Sequence, residues 1–162
     1  ISLFTESQSY NTYYNRKLVI DKNGEIKNSL ELSWSYGNIT NTSLKGIKKS
    51  LSDSNTSFKE NEVTSQKAVP DLNAFWGIHK DLIDVCRHCE FRHMCVDACV
   101  PLQRKNNTWF RSKECNYNPY ICTWKGEKGY KSLEECGIIC NAEKFTIDND
   151  RLAAINDMLW RD

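Results

Sequence analysis

Cysteine is the residue whose number and spacing in this chain could support chemistry. The 162 residues contain eight cysteines, and none of them lies within the first 85 positions. A disulfide scaffold in a secreted protein is usually stapled along its whole length. The crowding of every thiol into one half therefore favours a local metal site over a disulfide framework. The eight are Cys86, Cys89, Cys95, Cys99, Cys115, Cys122, Cys136 and Cys140.

The first four cysteines form the pattern Cys86-x2-Cys89-x5-Cys95-x3-Cys99. A Cys-x2-Cys pair lets two thiolates face one metal across a tight turn, and thiolates bind zinc and iron–sulfur clusters. A zinc site would normally show a second such pair or a pair of histidines, whereas irregular spacing followed by a distant cysteine is more typical of a cluster. A zinc-stabilised binding module without a redox role is the alternative. We expect the nearby His88 and His93 to be exposed loop residues rather than ligands.

Other kinds of functional site find little support in the sequence. No Ser-His-Asp order, phosphate-binding glycine loop or paired carboxylate motif stands out, so we assign no catalytic residue. The 22 Lys and Arg against 21 Asp and Glu give a net charge of +1, which offers no basic surface to nucleic acid or an anionic membrane. The apolar stretches are too short to span a bilayer, and no secretion signal opens the sequence. We therefore expect a cytoplasmic protein that binds neither nucleic acid nor membrane.

The cysteine spacing, together with the downstream Cys115, resembles the central signature of the SPASM domain. These domains follow the radical-SAM barrel in enzymes that modify peptides and proteins. Residues 80–86, 89–95 and 116–124 are similar to the maturase of grasp-with-spasm peptide systems. Residues 20–27 resemble the hairpin that opens a SPASM domain, and residues 36–39 resemble the turn after it. The resemblance covers about residues 17–124.

This resemblance implies an accessory iron–sulfur domain of a radical-SAM enzyme that modifies a ribosomally synthesised peptide. An auxiliary [4Fe–4S] cluster would be held by Cys86, Cys89, Cys95 and Cys115, for electron relay or for positioning the peptide. The implied partners are the precursor peptide and an ATP-grasp ligase of the same pathway. The radical-SAM motif Cys-x3-Cys-x2-Cys does not occur. Cleavage of S-adenosylmethionine would therefore require a barrel N-terminal to Ile1.

A second cluster is not expected. In full SPASM domains the cysteine corresponding to Cys99 reaches a second cluster, which also needs a cysteine five positions after the hairpin glycine. Counting from Gly24 gives Ser29, and no cysteine lies upstream. A possible second metal set remains in Cys99, Cys122, Cys136 and Cys140. The alternative for Cys136 and Cys140 is a pair of buried or surface thiols on a helical stretch.

The predicted fold is a small α+β domain of SPASM type with three parts. Residues 1–70 would hold an N-terminal hairpin and a polar loop, residues 71–124 an irregular cluster-binding segment, and residues 125–162 a helical extension. Asn23-Gly24 marks the turn of a hairpin over residues 16–28, and a second turn follows at residues 36–38. Apolar spacing predicts a short helix over 44–51, and polar composition predicts a loop over 52–65. The C-terminal stretch of about residues 143–160 carries apolar residues, of which Leu152, Ile155 and Leu159 are spaced for one face of a helix whose start Asp148 or Asp150 would cap.

Overall fold

The computed structural model describes residues 2–43, 45, 47 and 72–161. The helix predicted over 44–51 and the loop predicted over 52–65 lie outside these residues, apart from the helical Lys45 and Ile47. The described chain is a small mixed α/β protein of short antiparallel strand pairs with a C-terminal helix. None of the described helices is long and apolar enough to cross a membrane.

The chain forms two compact units. The hairpin unit consists of Tyr13–Gly77, and the cysteine unit consists of Ile1–Thr12 together with Ile78–Asp162. The boundary predicted after residue 70 falls near the end of the hairpin unit. The boundary predicted after residue 124 falls inside the cysteine unit, so the cysteine-rich segment and the C-terminal helix belong to one compact body.

The hairpin unit contains the hairpin predicted from the Asn-Gly turn. Strand β1 (Val19–Ile20) pairs with β2 (Ile26–Lys27) in an antiparallel register that places Ile20 opposite Ile26. The Asp21 carboxylate accepts the backbone N–H groups of Asn23 and Glu25 at 2.8 and 3.0 Å, and Gly24 supplies the positive φ of +79°. The prediction is confirmed, although the paired strands are shorter than residues 16–28.

The second predicted turn brings a further segment alongside β2. Gly37, with a φ of +117°, lies in this turn, and the Ile26 N–H donates to its carbonyl at 2.9 Å. In return the Tyr36 N–H donates to the Ile26 carbonyl at 2.8 Å. Ile26 is fully buried here and forms the small core of this unit with Ile47, Leu72, Tyr36 and Trp76.

The cysteine unit begins with helix α1 (Ser2–Ser7) and then uses short elements throughout. Two 3₁₀ turns come first, at Lys80–Leu82 and Cys86–His88. Three antiparallel hairpins follow: β3 (Pro101–Gln103) with β4 (Trp109–Arg111), β5 (Tyr117–Asn118) with β6 (Thr123–Trp124), and β7 (Ile138–Cys140) with β8 (Phe145–Ile147). The segment predicted as irregular therefore contains two complete hairpins, β5–β6 and the longer β3–β4. Its turn has the asparagine pair 106–107, with Asn107 at a φ of +63°, and asparagine tolerates this conformation better than most residues.

The C-terminal helix α2 spans Asn149–Trp160, directly after one of the two predicted caps. Asp148 caps it, because its carboxylate accepts the Arg151 N–H at 3.0 Å. The predicted face is confirmed: Leu152, Ile155 and Leu159 pack against a buried cluster that contains Ile121 and Ile138. Residues 145–147, just before this cap, form β8.

The helical stretch predicted for Cys136 and Cys140 is wrong. Gly137 adopts a φ of +78°, which no α-helix accommodates, and the β-branched pair Ile138-Ile139 enters strand β7. Cys136 is fully buried just before the strand, and Cys140 ends it.

Candidate metal centre

Four cysteines line one cavity in the cysteine unit. The cavity has a volume of about 70 Å³, and its thiols are those of Cys86, Cys89, Cys95 and Cys115. Cys99 is not among the residues that line it. These are the four that the resemblance nominates as ligands. The remaining walls are Lys80, Val85, Phe91, Arg92, Arg111, Tyr117, Pro119 and Trp124.

Local hydrogen bonds position the four thiols. The Cys89 N–H donates to the Cys86 carbonyl at 2.9 Å, which closes the tight turn of the Cys-x2-Cys pair. The Thr12 hydroxyl, from the segment after α1, donates to the carbonyl of Cys95. At Cys115 the sulfur itself accepts the Tyr117 N–H at 3.5 Å. Backbone N–H groups aimed at sulfur stabilise a thiolate, as they do around iron–sulfur clusters.

Val85, directly before Cys86, has a strained backbone. Its φ of +68° and ψ of −53° lie in the rare γ-turn region that β-branched residues avoid. The neighbouring Asp84 N–H donates to the Trp109 carbonyl of β4 at 2.8 Å, and the Val85 side chain is buried against the cavity. The surrounding packing therefore holds Val85 in a conformation that the isolated chain would avoid.

Burial sets the protonation of the first two thiols. Burial raises the pKa of the Cys86 thiol, against the lowering effect of the Arg111 guanidinium. Burial also raises the pKa of Cys89 from its ordinary 9.0 to about 11. Both groups are therefore thiols rather than thiolates in the metal-free protein at neutral pH. A metal that binds them must displace their protons.

Cationic side chains surround the cavity. Arg111 Nη1 lies 3.7 Å from Cys86 Sγ and 2.6 Å from Asp97 Oδ2. Lys80 is 2% exposed, and its Nζ lies 3.6 Å from the same Asp97 oxygen. Both contacts are close enough to be ion pairs. Neither is aligned as a hydrogen bond, because Asp97 Oδ2 receives none from the described residues. Burial lowers the pKa of Arg111, but the adjacent Cys86 and Asp97 raise it overall.

Three aromatic rings line the cavity and contact one another. The Tyr117 ring centroid lies 4.8 Å from that of Trp124 and 5.1 Å from that of Phe91. Tyr117 is buried, and its hydroxyl donates to the Glu90 carboxylate, whereas Phe91 and Trp124 are exposed on their outer faces. An apolar rim of this kind controls how much water reaches a metal site.

The two histidines near the motif lie outside the cavity. His88 is exposed and packs on the Tyr120 ring at 5.4 Å. The expectation that His93 is exposed is wrong: it is half-buried, with Nδ1 3.1 Å from Ser7 Oγ and Nε2 3.8 Å from Asp81. The cause is α1, which covers it and which the sequence pattern did not predict. In the described part of the chain, no group of three or more His, Cys, Asp or Glu residues is placed so that it could hold a metal ion.

The remaining cysteines have different surroundings from one another. Cys99 Sγ accepts the Lys113 N–H at 3.3 Å, and Cys136 Sγ lies in the apolar core 3.4 Å from Asn118 Nδ2. Cys140 Sγ lies 3.5 Å from the guanidinium of Arg104, and Cys122 is exposed. All eight cysteines are free thiols. A second metal set made of these four stays a prediction.

Ser29 occupies the position at which a two-cluster SPASM domain would carry a cysteine. It is fully buried in the hairpin unit. Its hydroxyl lies 3.4 Å from the Tyr13 hydroxyl and accepts the Glu31 N–H at 3.3 Å. The side chain therefore has a structural role in its own turn.

Comparisons with protein-family models, with curated proteins and with solved structures found no match. The interpretation of the site therefore depends on its residues and their geometry. Sequence reasoning did not identify Lys80 and Arg111, which are 31 positions apart and carry no motif. Only the folding of β4 next to the Cys-x2-Cys turn brings them to the same cavity.

Proposed function

We propose that this chain is an accessory iron–sulfur domain of SPASM type, belonging to a radical-SAM enzyme that modifies a ribosomally synthesised peptide. One [4Fe–4S] cluster would be bound by Cys86, Cys89, Cys95 and Cys115. The observation that carries this proposal is that these four thiols, out of eight, line one cavity. The first three are close in sequence, but Cys115 reaches the cavity from 20 positions further on, so sequence proximity alone does not explain the set.

The size of the cavity favours a cluster over a zinc ion. A tetrahedral zinc ion about 2.3 Å from each thiolate requires neighbouring sulfurs about 3.8 Å apart, which leaves no space between them. Here the thiols form walls around a volume of about 70 Å³. A cavity of this kind lined by four cysteines suits a ligand group that has its own volume, and a cubane cluster is the thiolate-ligated group of that kind.

The remaining residues of the site suit a redox or structural role. A bound cluster would supply one-electron transfer. Phe91, Tyr117 and Trp124 give the site an apolar rim that would limit its contact with water, and the N–H groups and cations would stabilise thiolate ligands. With all four positions taken by cysteine, electron relay or peptide positioning fits better than direct ligation of a substrate. The cytoplasm, where thiols stay reduced, is the matching compartment.

The other components follow from the same resemblance. The precursor peptide would be the substrate, an ATP-grasp ligase would act in the same pathway, and S-adenosylmethionine would bind an N-terminal barrel. Each is part of the proposal and none is needed to test the cluster.

Anaerobic purification and reconstitution of the 162-residue chain test this function. We expect a brown protein with about four iron and four acid-labile sulfide per chain, and absorption at roughly 400 nm from thiolate-ligated iron. Cys86→Ala and Cys115→Ala should lose most of the iron. Cys99→Ala and Cys122→Ala are the matched controls and should retain it. A colourless protein with one stoichiometric zinc would support the zinc-binding module instead.

A further inference from the structure

The lining of the thiol cavity has an unbalanced charge. Three cationic side chains line it, those of Lys80, Arg92 and Arg111, and no carboxylate does. Arg92 has its own partner, since its Nε donates to Asp81 at 2.6 Å. Lys80 and Arg111 instead share the single carboxylate of Asp97.

Among the described residues these two buried cations share one carboxylate, so one positive charge has no counterion. The side chains of Lys80 and Arg111 are 3% and 11% exposed, whereas that of Asp97 is 34% exposed. An uncompensated buried charge is strongly unfavourable unless an anion lies next to it. Arg111 Nη1 lies 3.7 Å from Cys86 Sγ, so this surplus positive charge lies next to the thiols.

A cluster bound by four thiolates would supply the missing negative charge. Its oxidised form carries a net charge of about −2, and the addition of one electron makes it about −3. A fixed positive charge at close range stabilises the more negative form. The surplus cation therefore bears on the redox equilibrium of the group as well as on its binding.

We propose that Lys80 and Arg111 are positioning residues that neutralise the thiolate ligands and raise the reduction potential of the group bound in the cavity. This inference rests on the proposed function, because only a redox-active occupant has a potential to raise. The electron would come from an external low-potential one-electron donor and would leave the ligand set unchanged. Arg111 contributes more than Lys80, since it contacts a ligand sulfur and is permanently charged.

A redox titration of the reconstituted protein tests this inference. Wild type, Arg111→Gln, Arg111→Lys and Arg92→Gln are reduced with dithionite through mediators, and the reduced fraction is followed by electron paramagnetic resonance. We expect Arg111→Gln to lower the reduced-to-oxidised ratio at a fixed potential by about tenfold, which corresponds to ~59 mV for one electron. Arg111→Lys should restore most of the change. Arg92→Gln should have a smaller effect, because its charge is already offset by Asp81.

Asp97→Asn should shift the reduction potential in the opposite direction. This test remains available even if the Arg111→Gln variant does not fold. Asp97→Asn removes the shared carboxylate and leaves both cations, so the potential should rise. Unchanged potentials in Arg111→Gln and Asp97→Asn, with normal iron content, would overturn the inference and leave the proposed function standing. Loss of iron in Arg111→Gln but not in Arg111→Lys would support it. A wild-type chain that takes up no iron would overturn the proposed function, and this inference with it.

Discussion

Asp84 and Arg104 form an ion pair in which both side chains are almost fully buried, at 5% and 1% exposure. Arg104 also donates to the Thr108 hydroxyl at 3.0 Å and to the Asn141 carbonyl at 2.7 Å. The guanidinium thus joins the β3–β4 turn, the β7–β8 turn and the residue next to the strained Val85. A buried pair with this many additional hydrogen bonds fixes the arrangement of these two hairpins relative to each other.

Replacement of Arg104 by Met should destabilise the protein by about 3–5 kcal/mol, because Asp84 would remain buried without its main partner. Urea unfolding followed by circular dichroism measures this free energy. The control is Arg87→Ala, which removes the other cation on Asp84, a side chain that is 44% exposed. It should cost about 1 kcal/mol or less. Equal effects of the two changes would contradict the assignment of Arg104 as the central residue.

The strain at Val85 predicts an inverted order of two substitutions. Glycine is normally about 0.5–1 kcal/mol less stable than alanine in regular structure. At a φ of +68° and a ψ of −53° the order should reverse, since both substitutions lose the buried side chain but only glycine relieves the backbone. Val85→Gly should therefore unfold at a urea concentration at least as high as Val85→Ala. A markedly less stable glycine variant would show that Val85 is unstrained.

Gly137→Ala should be strongly destabilising for two reasons. Its φ is +78°, which costs an L-residue about 1–2 kcal/mol, and an added Cβ would lie 2.8 Å from the Cβ of Asp148, the cap of α2. Gly126 separates the two effects, because it has a φ of +98° but no atom within 4 Å of an added Cβ. In thermal unfolding Gly126→Ala should show the conformational cost alone. Matching melting temperatures for the two variants would mean that the contact with Asp148 is unimportant.

Removal of the α2 cap gives a smaller and more local effect. Asp148→Ala should cost about 1 kcal/mol, because the Arg151 N–H loses its acceptor. Asp150 lies in the first turn without a capping role, so Asp150→Ala should cost no more than about 0.5 kcal/mol. Chemical denaturation measures the unfolding free energy of the two variants. A larger loss in Asp150→Ala than in Asp148→Ala would mean that the helix begins later than Asn149.

The buried Cys89 thiol predicts a pH dependence for the metal-free protein. Because burial raises its pKa from 9.0 to about 11, the folded form holds the proton more tightly than the unfolded form. Its contribution to stability is therefore complete below about pH 9 and is lost as the pH rises through about 11. Cys89→Ala should flatten the fall of the unfolding free energy over this interval. An unchanged slope in Cys89→Ala would contradict this assignment.

The elements found correctly from the sequence are those with local signals. Asn23-Gly24 marks a turn by its backbone preference, and Leu152, Ile155 and Leu159 mark a helix face by their spacing. The strand at Phe145–Ile147 was not predicted, since it depends on pairing with β7. The strand character of Ile138-Ile139 was likewise hidden by the helical spacing of the two cysteines. Strand pairing is a contact between distant residues, and it overrides weak local preferences.

The candidate site, too, could be predicted from the sequence only where its signals are local. The Cys-x2-Cys turn is local and could be recognised, and the family-like spacing added Cys115. The cations and aromatic rings of the cavity carry no motif, because their roles depend on the folding of β4, β5 and β6 beside the turn. The half-buried state of His93 depends on α1, a helix of six residues whose formation is due to tertiary packing.

The separation of the four thiols along the chain gives a bound group a second effect. Cys86 and Cys115 enclose a loop of about 30 residues. A group that joins them would reduce the conformational entropy of the denatured chain, as a disulfide does. In the chain-entropy treatment of cross-links, a loop of this length contributes about 3.5 kcal/mol. The occupant of the cavity would thus act as a covalent staple for a unit built from very short strands. Loss of the group would expand the unfolded ensemble as well as remove a redox centre.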